Sequence, residues 1–316
     1  MKIAFLGKGG SGKTTLSAAF ATYMHEQEKN VLLVDADVNV HVNRIIGIEE
    51  SDLQPISRNM NGIVSYVKGE RVDLGNAPFI SATPPSKGSR FITLEKEDEL
   101  LKGSTVSNKE GLRLMTIGTY EGEDIGFTCY HGKTDAFIIF LNHLLDTTSD
   151  YLVVDSVTGT DNLGNPLIYS YDLNVIVVEP TKKSIQVYKD FIQGIERFDY
   201  PINIVVIGNK VETKEDEEFI KQHIKGEHLL GFVSKSDEMK SFDQGSKDDF
   251  KKFVSANSEI FNKILKELDS KQRDWDLYLK NIRANFSQMA QEYYNSYYHV
   301  DLESRVDNTF SFKDVV

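Results

Sequence analysis

The stretch Lys2-Ile3-Ala4-Phe5-Leu6-Gly7-Lys8-Gly9-Gly10-Ser11-Gly12-Lys13-Thr14-Thr15 decides the reading. A short apolar run enters a glycine-rich loop, and Ser17 to His25 leaves it with helical character. The loop satisfies G-x-x-x-x-G-K-[ST] between a strand and a helix, the context that gives the pattern its physical meaning. Glycines let successive backbone N–H groups turn toward one anion. The helix that follows adds the positive end of its dipole. Gly7, Gly9, Gly10, Ser11, Gly12, Lys13, Thr14 and Thr15 are therefore expected to hold phosphates. Lys13 would reach the β and γ groups and Thr14 would offer a hydroxyl to Mg2+. A chance glycine-rich turn is the competing reading, and the placement of strand and helix weighs against it.

Further apolar runs follow at Val31 to Val34, Arg113 to Ile117, Tyr151 to Val154, Asn174 to Val178 and Ile202 to Ile207, with helices expected at Ala136 to Leu145 and Ser184 to Phe198. Strands alternating with helices predict βαβ units, a mostly parallel sheet flanked by helices, and a three-layer α/β fold. Residues 53 to 110, with Pro84, Pro85 and several glycines, read as an irregular insertion with some strand around Phe91 to Leu94. Arg273 to Tyr297 has helical spacing and many aromatics; packing on the core and docking of a partner are both open to it, and packing is the commoner use. The expected division is 1–268 for the main domain and 269–316 for a helical C-terminal extension with a polar tail mobile at its end.

Composition sets outer limits. The chain has 316 residues, 40% hydrophobic and 27% charged, which is ordinary for a folded protein able to bury a sizeable core. No uncharged apolar run approaches a membrane span, and no signal peptide is expected. A single cysteine, Cys129, forms no internal disulfide and fits a cytoplasmic setting. A net charge of −12 argues against broad nucleic-acid binding, although a local basic patch remains compatible with that average.

Two strand ends carry carboxylates. Val31-Leu32-Leu33-Val34-Asp35-Ala36-Asp37 places aspartates at i and i+2, and ligands of open parallel sheets lie beyond the carboxyl ends of their strands. An Asx turn is the alternative. Tyr151-Leu152-Val153-Val154-Asp155, with Gly159 four residues on, has the pattern of a Walker B strand and switch. Asp155 would bind Mg2+ through water, and the Gly159 N–H would meet a γ-phosphate. Thr158 and Thr160 equally suit a helix cap. Asn209, after a strand, offers a donor and an acceptor that suit a purine edge.

The form Gly-Lys-Gly-Gly-x-Gly-Lys-Thr resembles the deviant phosphate loop of the MinD, ParA and CooC ATPases and the nitrogenase iron protein, and so implies a P-loop NTPase fold over residues 1 to about 265. Within that group Val178-Glu179-Pro180-Thr181-Lys182-Lys183-Ser184 most resembles the CooC branch, whose members help load nickel into carbon monoxide dehydrogenase. The resemblance implies ATP and Mg2+ as ligands and a homodimer in which Lys8 crosses to the partner's phosphates. It implies Lys8, Lys13 and Asp37 as catalytic, with Asp37 on the attacking water, Asp35 holding a Mg2+-bound water, and Asn209 on adenine. Three departures stand out. Val38 replaces a frequent proline. Glu212 stands where guanine-binding relatives carry aspartate. Cys129-Tyr130-His131 replaces the Cys-x-Cys that binds metal on the CooC dimer axis. A Cys-x-His from each chain would make a Cys2His2 set suited to Zn2+ and less to Ni2+. A buried cysteine beside a surface histidine with no metal is the other reading, favoured because two ligands per chain is a thin signal.

The activity implied is ATP hydrolysis, slow without a partner, in a switch that regulates a client protein of unknown identity. Metalloenzyme maturation through Cys129 and His131 is a second reading. A ParA- or MinD-like positioning ATPase is a third, weakened by the acidic balance and by a C-terminus that lacks the basic amphipathic helix needed at a membrane. A small-molecule kinase is a fourth, and no arginine-rich lid supports it.

Overall fold

The computed structural model describes residues 1–37, 40–119, 130–159, 163, 167–196, 200–246 and 248–315, with backbone alone at 130–132 and 243. The strands are β1 Lys2–Gly7, β2 Asn30–Asp35, β3 Ile92–Thr93, β4 Val106–Ser107, β5 Arg113–Thr116, β6 Leu144–Leu145, β7 Asp150–Asp155, β8 Leu173–Val178, β9 Ile204–Val211 and β10 Leu229–Ser234. Among the described residues eight of them form one sheet in the order β10-β9-β8-β1-β7-β2-β5-β4. Every neighbouring pair is parallel except β4 on β5. β3 and β6 pair separately.

The inner strands are apolar on both faces, as parallel strands between two helical layers must be. On one face Ala4, Leu6, Leu32, Val34, Leu152 and Val154 pack against helices Met60–Lys68, Tyr130–Asn142 and Lys182–Ile195. On the other Ile3, Phe5, Leu33, Val153, Val175 and Val177 pack against helices Lys13–Glu26, Asp249–Ala256 and Ser258–Asp269. This is the expected three-layer α/β fold with a mostly parallel sheet flanked by helices. Because β1, β2 and β7 are adjacent and parallel, their carboxyl ends open on one edge.

Some boundaries differ from expectation. The insertion contains the helices Met60–Lys68 and Glu99–Ser104, and Asp98 caps the second by accepting from Leu100 N and Leu101 N. β9 runs on through Asn209 and Lys210, which lie inside the strand rather than after it. The aromatic C-terminal helix is Trp275–Met289, followed by a π turn at Ala290–Tyr294. It packs inward, burying Tyr278, Ile282 and Phe286. Much of the tail packs back on the core: Leu302, Val306, Phe310 and Phe312 are buried. Two aromatics suffice, since Phe310 stacks on Phe91 and Phe312 lies 4.7 Å from Trp275 between ring centres. Arg273 ties the extension to the core by bridging Asp146 at 2.6 Å and Asp172 at 2.5 Å.

Candidate nucleotide site

Sterics explain the loop's glycines at two positions. A Cβ on Gly7 would stand 2.6 Å from the Val177 carbonyl oxygen. Gly12 sits at φ +94° as the cap of the helix Lys13–Glu26, and a Cβ there would collide with the Asn209 amide. The loop closes through Ser11 N donating to Lys8 O at 3.0 Å, and Gly159 N donates to Gly7 O at 2.9 Å. The N–H assigned to a γ-phosphate is thus engaged by the loop itself.

Loop and strand ends border a cavity of about 670 Å³. Gly9, Gly10, Gly12, Lys13, Thr14 and Thr15 line it from one side and Asp37 and Thr158 from the next. Lys13 is buried, and its Nζ donates to Asp37 Oδ2 at 2.7 Å and stands 3.5 Å from Asp155 Oδ1. Burial opposes the charged amine, yet Asp155 and Asp37 outweigh it and hold the Lys13 pKa above the ordinary lysine value.

Asp35 and Asp155 are fully buried register partners on β2 and β7. Asp35 accepts from His41 N and Val42 N, both at 3.0 Å, and from Asp37 N at 3.3 Å. Burial and the Asp155 charge push its pKa up. Burial pushes Asp155 up as well, against the pull of Lys13. The Thr14 hydroxyl also faces the Asp155 carboxylate and lowers its pKa. Three carboxylates around one ammonium leave a surplus of negative charge in a buried place. Hard oxygen donors with that surplus, beside the Thr14 hydroxyl, suit Mg2+ held through water rather than by the carboxylates directly.

The far end of the cavity is made by Asn209, Lys210, Ser234, Lys235, Met239 and Lys240. Asn209 Nδ2 donates to Ser11 O at 2.7 Å, which leaves its carbonyl oxygen and second N–H for a base. Sequence reasoning missed the β10 wall and the helix Asp237–Asp243. The signal was there: Ser236 accepts from Met239 N, and Asp237 and Glu238 fill the first turn, as at many helix starts. It also missed Glu179 as a tether. Lys210 Nζ lies 2.8 Å from Glu179 Oε1, and Lys8 Nζ lies 3.9 Å from Oε2 while donating to Gly9 O at 2.9 Å.

Cys129, Val38 and Thr160 lie outside the described residues, as does the His131 side chain. Among the described residues no cluster of three or more His, Cys, Asp or Glu is arranged for a metal ion, and no helix is long and apolar enough to cross a membrane.

Residues 3–247 match the CobQ/CobB/MinD/ParA nucleotide binding domain. An uncharacterized ATP-binding protein of Methanocaldococcus jannaschii is 30% identical over 276 residues, 84% of this chain and 98% of its own. The carbon monoxide dehydrogenase accessory protein CooC of Rhodospirillum rubrum is 28% identical over 249 residues, 77% of this chain and 87% of its own. Two solved structures share the fold. The MinD cell division protein of Aquifex aeolicus is 23% identical over 86% of this chain and 98% of that one, with a TM-score of 0.52. A ParA family ATPase from Chlorobium tepidum is 19% identical over 87% and 97%, with a TM-score of 0.54. With a glycine loop, its lysine and Asp37 meeting at one cavity, and a family match over most of its length, the chain belongs to the CobQ/CobB/MinD/ParA family of nucleotide-binding proteins.

Proposed function

We propose that this protein binds ATP with Mg2+, hydrolyses it slowly, and uses the bound nucleotide to pair with a second copy and regulate a client protein. The observation that supports this best is the buried Lys13 held between Asp37 and Asp155 at the mouth of the glycine loop. Lys13 would neutralise the β and γ phosphates, and Asp37, within reach of the same amine, would position the attacking water. Mg2+, held by Thr14 directly and by Asp35 and Asp155 through water, would offset charge on the transferring phosphoryl group. The Asn209 carbonyl oxygen would accept from the adenine amino group. Gly159 would exchange Gly7 O for phosphate, making its loop a reporter of nucleotide state. Lys8, partly exposed on the loop, is the residue available to a second copy.

Maturation of a metalloenzyme is a second reading. It rests on the similarity to CooC and on Cys129 and His131, which would bind Zn2+ or Ni2+ between two chains. Light scattering in Mg2+-ATP and then in Mg2+-ADP tests the first reading: mass should double only with ATP, and an unchanging mass refutes the switch by dimerisation. Elemental analysis tests the second, which fails if the dimer carries neither metal and Cys129→Ser leaves it intact.

A further inference from the structure

A second cavity, of about 520 Å³, lies at the opposite end of the sheet, where β2 and β5 begin. Asn30 opens β2 and Arg113 opens β5. Asp35 at the nucleotide edge is five strand residues from Asn30, roughly 17 Å at the usual rise. This cavity is therefore separate from the phosphate loop.

Its lining is unusual for so acidic a chain. Lys29, Lys96 and Arg113 all border it, with Glu28 the one carboxylate in the lining. None of the three cations makes an ion pair among the described residues. Lys29 Nζ sits 5.9 Å from the centre of the Tyr151 ring, and Lys96 is exposed. Arg113 is 7% exposed, so its charge has lost most of its water. Its Nη2 donates to Asn30 Oδ1 and Leu94 O, both at 2.8 Å. Its Nη1 is buried and has no hydrogen-bond partner. The nearby Asp150 carboxylate accepts from Asn30 Nδ2 at 2.7 Å and from Thr147, and it acts on Arg113 through charge alone.

A buried guanidinium with an idle donor costs stability unless a ligand completes it. Its remaining Nη1 can give a charge-assisted hydrogen bond to a phosphate oxygen. Two lysines at the same opening supply the remaining charge, and the volume lies within the range of small-ligand pockets rather than extended grooves. We propose that this cavity is a second anion site, built for a phosphate group that is either free or carried as a small monoester. Arg113 would supply the fixed hydrogen bonds, and Lys29 and Lys96 the charge that draws the ligand in.

The test is calorimetric titration of inorganic phosphate, and separately of glycerol 3-phosphate, into the full chain saturated with Mg2+ and a non-hydrolysable ATP analogue. Filling the phosphate loop first removes it as a competitor. One saturable binding event per chain is expected, weakened at least tenfold by Lys29→Ala with Lys96→Ala and several-fold by Arg113→Lys. The two lysines lie toward solvent, so that double variant keeps the test informative if Arg113 variants fold poorly. Lys13→Ala, titrated without nucleotide, should retain the event, which separates this site from the nucleotide reading. Tighter binding of glycerol 3-phosphate identifies a monoester ligand, and equal binding identifies free phosphate. No saturable heat with either probe overturns the proposal. So does an event lost with Lys13→Ala and unaffected by the lysine double variant.

Discussion

Asp35 and Asp155 are 120 residues apart in sequence and direct partners in register across β2 and β7. Both are fully buried, and the Lys13 ammonium is a charge partner to both. Two buried carboxylates side by side repel each other, and one ammonium offsets only part of that charge.

Removing one of the pair should therefore divide stability from function. Asp155→Asn should raise the melting temperature measured in EDTA, because it relieves a buried like-charge contact. The same variant should bind Mg2+-ATP at least tenfold more weakly than the parent. Differential scanning calorimetry with and without Mg2+ reads the first effect, and a fluorescent nucleotide titration the second. A variant that is less stable in EDTA would contradict this account of the pair.

Lys13 and Asp37 should fail in different ways. Lys13→Ala removes the amine aimed at the phosphates and leaves buried carboxylates without their counter-charge, so nucleotide binding should be lost. Asp37→Ala should leave binding within a few-fold of the parent, while hydrolysis falls by about 10² to 10⁴, the usual worth of a group that positions or deprotonates water. A malachite-green phosphate assay beside the binding titration separates the two.

Glu179 holds Lys210 closely and Lys8 loosely. Half-exposed pairs of this kind are worth about 0.2–1 kcal/mol. Glu179→Gln should therefore strengthen ATP-dependent pairing of two copies only modestly, about fivefold at most. Lys8→Ala should abolish that pairing outright while leaving ATP affinity nearly unchanged. Sedimentation velocity over a concentration series distinguishes a modest shift from a complete loss.

The parts of this architecture legible in the sequence are those fixed by local chemistry. The spacing from Gly7 to Thr14 specifies the loop, and two apolar runs ending in Asp35 and Asp155 specify strands that deliver carboxylates to one edge. What stayed hidden depends on distant contacts. Glu179 gains a role only when the sheet brings the end of β8 beside the loop. β10 is broken by Gly231, whose Cβ position is filled by Ile260, so its pattern looked weak. The packing of the tail was hidden because Phe310 and Phe312 are lost among polar neighbours, yet they lie against Phe91 and Trp275. The helix at Met60–Lys68 was obscured by Gly62 and two asparagines, although Ile63 and Val67 form a proper inward face.

His143 gives the fold a measurable pH dependence. It is fully buried between the rings of Phe79 and Phe91, its Nδ1 donates to Ile139 O at 3.0 Å, and its Nε2 has no partner. Burial pushes its pKa down to about 3 from an ordinary 6.5, opposed by the Ile139 bond and assisted by the Arg71 charge. The folded chain thus keeps this ring neutral where the unfolded chain protonates it. Its contribution is complete above the unfolded pKa and is lost as pH falls from there toward the folded value. The slope is at most about 1.4 kcal/mol per pH unit. Between pH 7.5 and pH 5 this one residue should cost about 2 kcal/mol, read as a fall in the urea midpoint at unchanged m-value. His143→Gln, which can keep the bond to Ile139, should be less stable at pH 7.5 and lose distinctly less on acidification. If both proteins lose the same amount over that interval, His143 is not held neutral in the way its surroundings dictate.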